Sequence, residues 1–80
     1  MSLSEAIRNR LKDYMHKKNL NAWKLYKATG IPHSTICAFL SGRTDLVKLD
    51  TLLHICEGLN ITLIDFFNDP MFNDVEHEHD

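Results

Sequence analysis

Residues 20–42, LNAWKLYKATGIPHSTICAFLSG, confine this chain more than any other stretch. Two short helical patterns flank the turn Thr29-Gly30-Ile31-Pro32 at the spacing of a helix-turn-helix. Asn21 suits a helix cap, because its side-chain oxygen can accept a backbone N–H from the exposed first turn of a helix over 22–29. Gly30 stands where a helix stop needs a left-handed residue, and Pro32 fits the first turn of a second helix while pushing Ile31 out of helical geometry. That second helix is expected over about 33–41, closed by Gly42, and it leaves the turn steeply enough to project from the body as a recognition helix.

The flanking sequence supplies a scaffold. Ser4 reads as the cap of a first helix, with Glu5 at the positive end of its dipole. Ile7, Leu11, Tyr14, Met15 and the stem of Lys18 form one apolar face, and Arg8, Arg10, Lys12 and Lys17 lie on the other. Leu25 and Ala28 are expected to point inward from the helix over 22–29, and Ile36, Phe39 and Leu40 from the next. Gly42 to Lys48 is a loop by composition. Leu49, Leu52, Leu53, Cys56 and Leu59 then recur at helical spacing, widened by Ile55; Gly58 weakens the last turn before Asn60. Thr62 caps a short final helix whose Leu63 and Phe66 close the core with Ile61, and Asn68-Asp69-Pro70 ends it. The expected architecture is all-α, a compact bundle of five helices in one domain over 1–70. An acidic tail follows over 71–80, its last five residues disordered.

Charge is divided along the chain. All nine basic residues lie within positions 1–48, opposed there by Glu5, Asp13 and Asp45, a net of plus six. Positions 49–80 hold eight acids and no Lys or Arg, a net of minus eight. One end can therefore face phosphate while the other repels it, although the overall charge is only −2. No apolar run approaches the roughly 20 residues of a membrane span, and no signal-peptide pattern opens the chain, so a cytoplasmic protein is expected. Cys37 and Cys56 read as reduced, partly buried small hydrophobes.

Leu25, Gly30-Ile31, Ser34-Thr35-Ile36, Gly42-Arg43, the run from Leu49 to Cys56, and Leu59-Asn60-Ile61-Thr62 together resemble the Cro/repressor class of helix-turn-helix regulators, also called the xenobiotic-response-element family. The likeness covers roughly residues 5 to 68 and implies a lambda-repressor-like fold that binds double-stranded DNA. It implies that His33, Ser34, Thr35, Cys37, Ala38 and Ser41, on the exposed end and outer face of the recognition helix, enter the major groove. Phosphate contacts are expected from the backbone at Ala22 and Trp23, from Lys24 and Lys27, from the start of the recognition helix at His33 and Ser34, and from Arg43, Thr44 and Lys48, with Pro32 and Gly42 counted in the same DNA-binding surface. Three residues depart from the family pattern. Ala22 stands where a glutamine is common, Trp23 where the residue is usually polar, and Tyr26 where it is usually small. Trp23 is read as packing over the end of the first helix or lying against the DNA backbone.

No side chain of the recognition helix is an Arg, Asn or Gln able to make a bidentate base contact, so specificity is expected to lean on DNA shape, dimer spacing and thymine-rich steps. Ile64, Phe67, Met71, Phe72 and Val75 are the candidates for a homodimer patch; in the alternative, Met71 and Phe72 fold back onto the body. No metal set, cofactor, small-molecule ligand or enzymatic constellation is expected: His54 and Cys56 diverge on a helix, and His77 and His79 fall in the tail. The reading is a homodimeric, sequence-specific transcriptional regulator, and its rival is a protein-interaction or antitoxin-like adaptor of the same fold.

Overall fold

The structure, a computed structural model, describes residues 1–44 and 48–76. Positions 45–47, in the middle of the expected loop, and 77–80, at the end of the tail, lie outside the described residues. Helix α1 spans Leu3–Lys17, α2 Ala22–Thr29, α3 His33–Leu40, α4 Leu49–Leu59 and α5 Leu63–Phe67, followed by a 3-10 turn over Pro70–Asp74. Among the described residues no helix is long and apolar enough to cross a membrane.

The local signals set most boundaries. Asn21 Oδ1 accepts the Lys24 N–H at 2.8 Å, and Gly30 closes α2 with φ +77°. Asn60 closes α4 in the left-handed region, and Thr62 and Asp65 cap α5 reciprocally. The start of α1 corrects the expectation at Ser4. Ser2 is the cap: its Oγ accepts the Glu5 N–H at 3.2 Å, while the Glu5 carboxylate accepts the Ser2 N–H at 3.0 Å. The reciprocal box needs an acid three residues after the cap, a condition that Ser2 meets and Ser4 does not. The Ser2 N–H, and then the Ser2 hydroxyl, hold the Glu5 carboxyl below its usual range.

Phe66, Leu11, Leu25, Leu52, Leu59 and Cys56 are fully buried and join α1, α2, α4 and α5, and Ile36 and Phe39 anchor α3 to the same cluster. At roughly 1.5–3 kcal/mol for each buried side chain, Ile36 and Phe39 suffice to fix an eight-residue helix that could not persist alone. Five assignments to inner and outer faces are corrected. Ala28 is exposed, and it flanks Gly58 where α2 and α4 meet. Leu49 and Leu53 are exposed, at 75% and 42%, because α4 turns its Leu52, Ile55, Cys56 and Leu59 side inward and leaves its flank to solvent. Arg10 is buried, and Arg8 is half-buried. Phe72 lies against Phe67, ring centroids 4.9 Å apart, and near Phe66. Beyond it, Glu76 donates its N–H to the Met1 carbonyl.

Candidate nucleic-acid interface

The turn between α2 and α3 is built by three adjacent devices. The Thr29 hydroxyl donates to the Leu25 carbonyl at 2.8 Å and accepts the Ile31 N–H at 3.1 Å. Gly30 reverses the chain with positive φ, and Pro32 stands immediately before α3. Two of the three are rigid by covalent or hydrogen-bonded constraint, so the direction in which α3 leaves the turn is set locally.

The far end of α3 is held by a residue that the sequence placed on an outer face. Arg8 Nε donates to the Phe39 carbonyl at 2.7 Å, its guanidinium lies 5.1 Å from the centre of the Phe39 ring, and Nη2 reaches the Thr44 carbonyl at 3.4 Å. A cation here complements the negative end of the α3 dipole. Arg8 is thereby a bracket for the recognition helix from beneath. Its partners lie 31 and 36 positions away in sequence, which is why helical periodicity could not find them.

With Ile36 and Phe39 turned in, α3 exposes Ser34 and Thr35 to solvent and His33, Cys37 and Ala38 in part. Ser41, Gly42 and Arg43 continue this surface, and Arg43 Nε donates to Ser41 Oγ at 3.2 Å while Ser41 Oγ donates to the Ala38 carbonyl. Thr35, Thr44 and Lys48 line one recess, which α3 shares with the start of α4. No side chain caps α3 or α4 at its N-terminus, in contrast to α1, α2 and α5. Lys24, Lys27, Arg43 and Lys48 are exposed. Ala22 is half-buried and packs against the core.

Trp23 takes a position that sequence reasoning missed. Its indole stacks on the His33 imidazole, with ring centroids 3.9 Å apart and planes inclined by 18°, and Tyr26 meets the indole edge-on at 6.3 Å. The Tyr26 side chain is exposed. Cys37 Sγ lies 3.5 Å from His33 Nε2. The aromatic pair bridges the first turn of α2 and the first turn of α3, a juxtaposition across the turn that neither helical period contains.

Of the apolar residues considered for pairing, Ile64 is 81% exposed, and Phe67, Met71, Phe72 and Val75 are half-buried. Among the described residues no group of three His, Cys, Asp or Glu side chains is arranged to hold a metal ion. A family model described as the Cro/C1-type HTH DNA-binding domain matches residues 10–70. Neither a search of curated proteins nor one of solved structures gives a match.

Proposed function

Because this chain belongs to the Cro/C1-type helix-turn-helix DNA-binding family, we propose that it is a cytoplasmic transcriptional regulator that pairs with itself on a short pseudo-palindromic operator. The observation that carries this reading is the exposed leading turn of α3. Ser34 and Thr35 face solvent on a helix whose opposite side is locked into the core through Ile36 and Phe39. In this mechanism α3 lies in the major groove. His33 and Ser34 offer donor and acceptor groups to base edges, and Thr35 and Ala38 offer methyl groups to thymine. Lys24, Lys27, Arg43 and Lys48 contact phosphate and set the register, and the uncapped amides at the starts of α3 and α4 add to them. Ile64 on α5 joins two copies, so that two recognition helices reach successive major grooves about 34–36 Å apart.

An adaptor that meets protein on the same fold is favoured by one observation, the exposed Leu49 and Leu53 one turn apart on α4. Selection of bound sequences from a random duplex pool by the purified chain, repeated at two salt concentrations, separates the two readings. A regulator enriches a palindrome and loses affinity linearly in log salt as counterions are released. Failure to enrich any duplex would end the regulator reading.

A further inference from the structure

We propose that Trp23 is a positioning residue for base discrimination by His33, holding the imidazole in one plane at the leading turn of α3. This rests on the DNA-binding reading above and adds to it a specificity determinant that does not itself read a base.

The argument starts from exposure. Trp23 is the only tryptophan of the chain, and it is 58% exposed, so it contributes little to the core. What it covers is one face of His33, at 3.9 Å between centroids and 18° between planes. The Cys37 thiol, one turn further along α3, approaches the same imidazole, with Sγ 3.5 Å from Nε2 and 3.7 Å from Nδ1. The ring is thus held from two directions, by a residue of α2 and by a residue of its own helix. Any other χ1 rotamer of His33 abandons the stack, which therefore fixes where the ring lies and the plane in which its nitrogens point. An imidazole can tell base edges apart only through the direction of its donor and acceptor nitrogens, so a ring free to rotate discriminates poorly. Fixing it before the duplex arrives removes an ordering cost that corresponds to roughly threefold to tenfold in affinity.

The test uses the full chain, the duplex enriched from the random pool, and duplexes carrying a base change at each position. Trp23→Ala is expected to lower the ratio of cognate to changed-base affinity roughly threefold to tenfold at one base pair of each half-site. His33→Ala is expected to lower it at the same base pair, the double variant no further than either single one, and Trp23→Phe to restore most of the ratio. Emission of the lone tryptophan should also shift in free His33→Ala protein, reporting loss of the stack without any DNA. Trp23→Ala lowering all affinities equally with the ratio unchanged would overturn the assignment and reduce Trp23 to a structural or backbone contact. So would effects of the two variants that fall at different base pairs or multiply in the double variant. If the unmodified chain binds no duplex, the DNA-binding reading fails first and the assignment goes with it.

Discussion

The Arg10 guanidinium, on α1, donates through Nε to the Phe66 carbonyl at the end of α5, 2.7 Å away and 56 positions on in sequence. Nη2 reaches the Asp65 carbonyl at 2.8 Å, and Nη1 pairs with the Asp69 carboxylate at 3.3 Å, while the Tyr14 ring lies 4.6 Å from the guanidinium carbon. A cation at this helix end adds a donor to the Asp65 carbonyl, which also accepts the Asn68 N–H, bonds the Phe66 carbonyl beside it, and complements the dipole. It also removes Arg10 from any phosphate surface.

Arg10→Met is therefore expected to destabilise the fold by about 3 kcal/mol, because buried acceptors and a carboxylate lose a charged donor. For a domain of this size that lowers the thermal midpoint by more than about 10 °C, read by circular dichroism. The salt slope of DNA binding should stay where it was. Lys24→Ala and Arg43→Ala should show the reverse pattern, with an ordinary midpoint and a slope smaller by about one in log–log terms. A reduced slope in Arg10→Met would mean that the guanidinium reaches the duplex after all.

Gly58 predicts an inversion of the usual helix-propensity rule. Alanine in a helix interior is normally better than glycine by about 1 kcal/mol. A methyl group at Gly58, however, would run into Thr29 Cγ2, with the Ala28 backbone close behind. Thr29 cannot turn aside without breaking its bonds to Leu25 and Ile31, which form the turn into α3. Gly58→Ala should lower stability by roughly 1–3 kcal/mol in urea titration. Thr29→Ser, which keeps the hydroxyl and deletes the methyl, should recover most of that loss in the double variant. Stabilisation by Gly58→Ala alone would show that α2 and α4 pack less closely than described.

Cys56 sets a limit on the alkaline side. Burial, and then the negative charges of Asp65 and Glu57, raise its thiol above the ordinary value of 9.0. The folded chain keeps this proton at a pH where the unfolded chain has lost it, so the stability is complete below about pH 9 and declines as pH rises from there through the folded value. The unfolding midpoint in urea should fall progressively above pH 9, and Cys56→Ala should decline less steeply from a lower neutral-pH starting point. A thiol reagent should label half-buried Cys37 first and Cys56 only on unfolding. Equal labelling rates in the folded protein would contradict the burial.

The features that sequence revealed are those whose causes lie within a few residues. Asn21, Gly30, Asn60 and Thr62 act on their own or adjacent turns, and each helix end they mark lies where the cap chemistry places it. Leu52, Cys56 and Leu59 repeat at the helical period and are buried together. What escaped was decided by contacts distant in sequence. Arg8 and Arg10 look like surface charges until α3 and α5 bring carbonyls to them. Leu49 and Leu53 share the period of the core residues, but a period gives the direction of an apolar stripe and not how wide a strip the neighbouring helices cover. Gly58 reads as a weak point in α4 and is instead a place where α2 comes too close to admit a side chain. At the candidate interface the exposed face of α3 follows from Ile36 and Phe39, whereas the Trp23 and His33 stack depends on how the turn folds back on itself.

Ile64 supplies the remaining prediction. It is 81% exposed on α5, between Leu63 and Phe67, which are packed against the core. A change there should leave the monomer's stability within about 0.5 kcal/mol, as is usual for surface positions. Pairing is different, because a two-fold interface repeats every contact. Burying Ile64 from both copies contributes roughly 3–6 kcal/mol at about 1.5–3 kcal/mol per side chain, less what is lost on immobilisation. Ile64→Lys should therefore weaken self-association by about a hundredfold or more in sedimentation equilibrium. On the enriched duplex it should convert cooperative occupation of both half-sites into weak occupation of one. Leu53→Lys serves as the comparison, since Leu53 lies on α4: if it disrupts pairing and Ile64→Lys does not, the two copies meet through α4. An unmodified chain that stays monomeric at high micromolar concentration would remove the α5 interface altogether, because an exposed isoleucine then has no second copy to cover it.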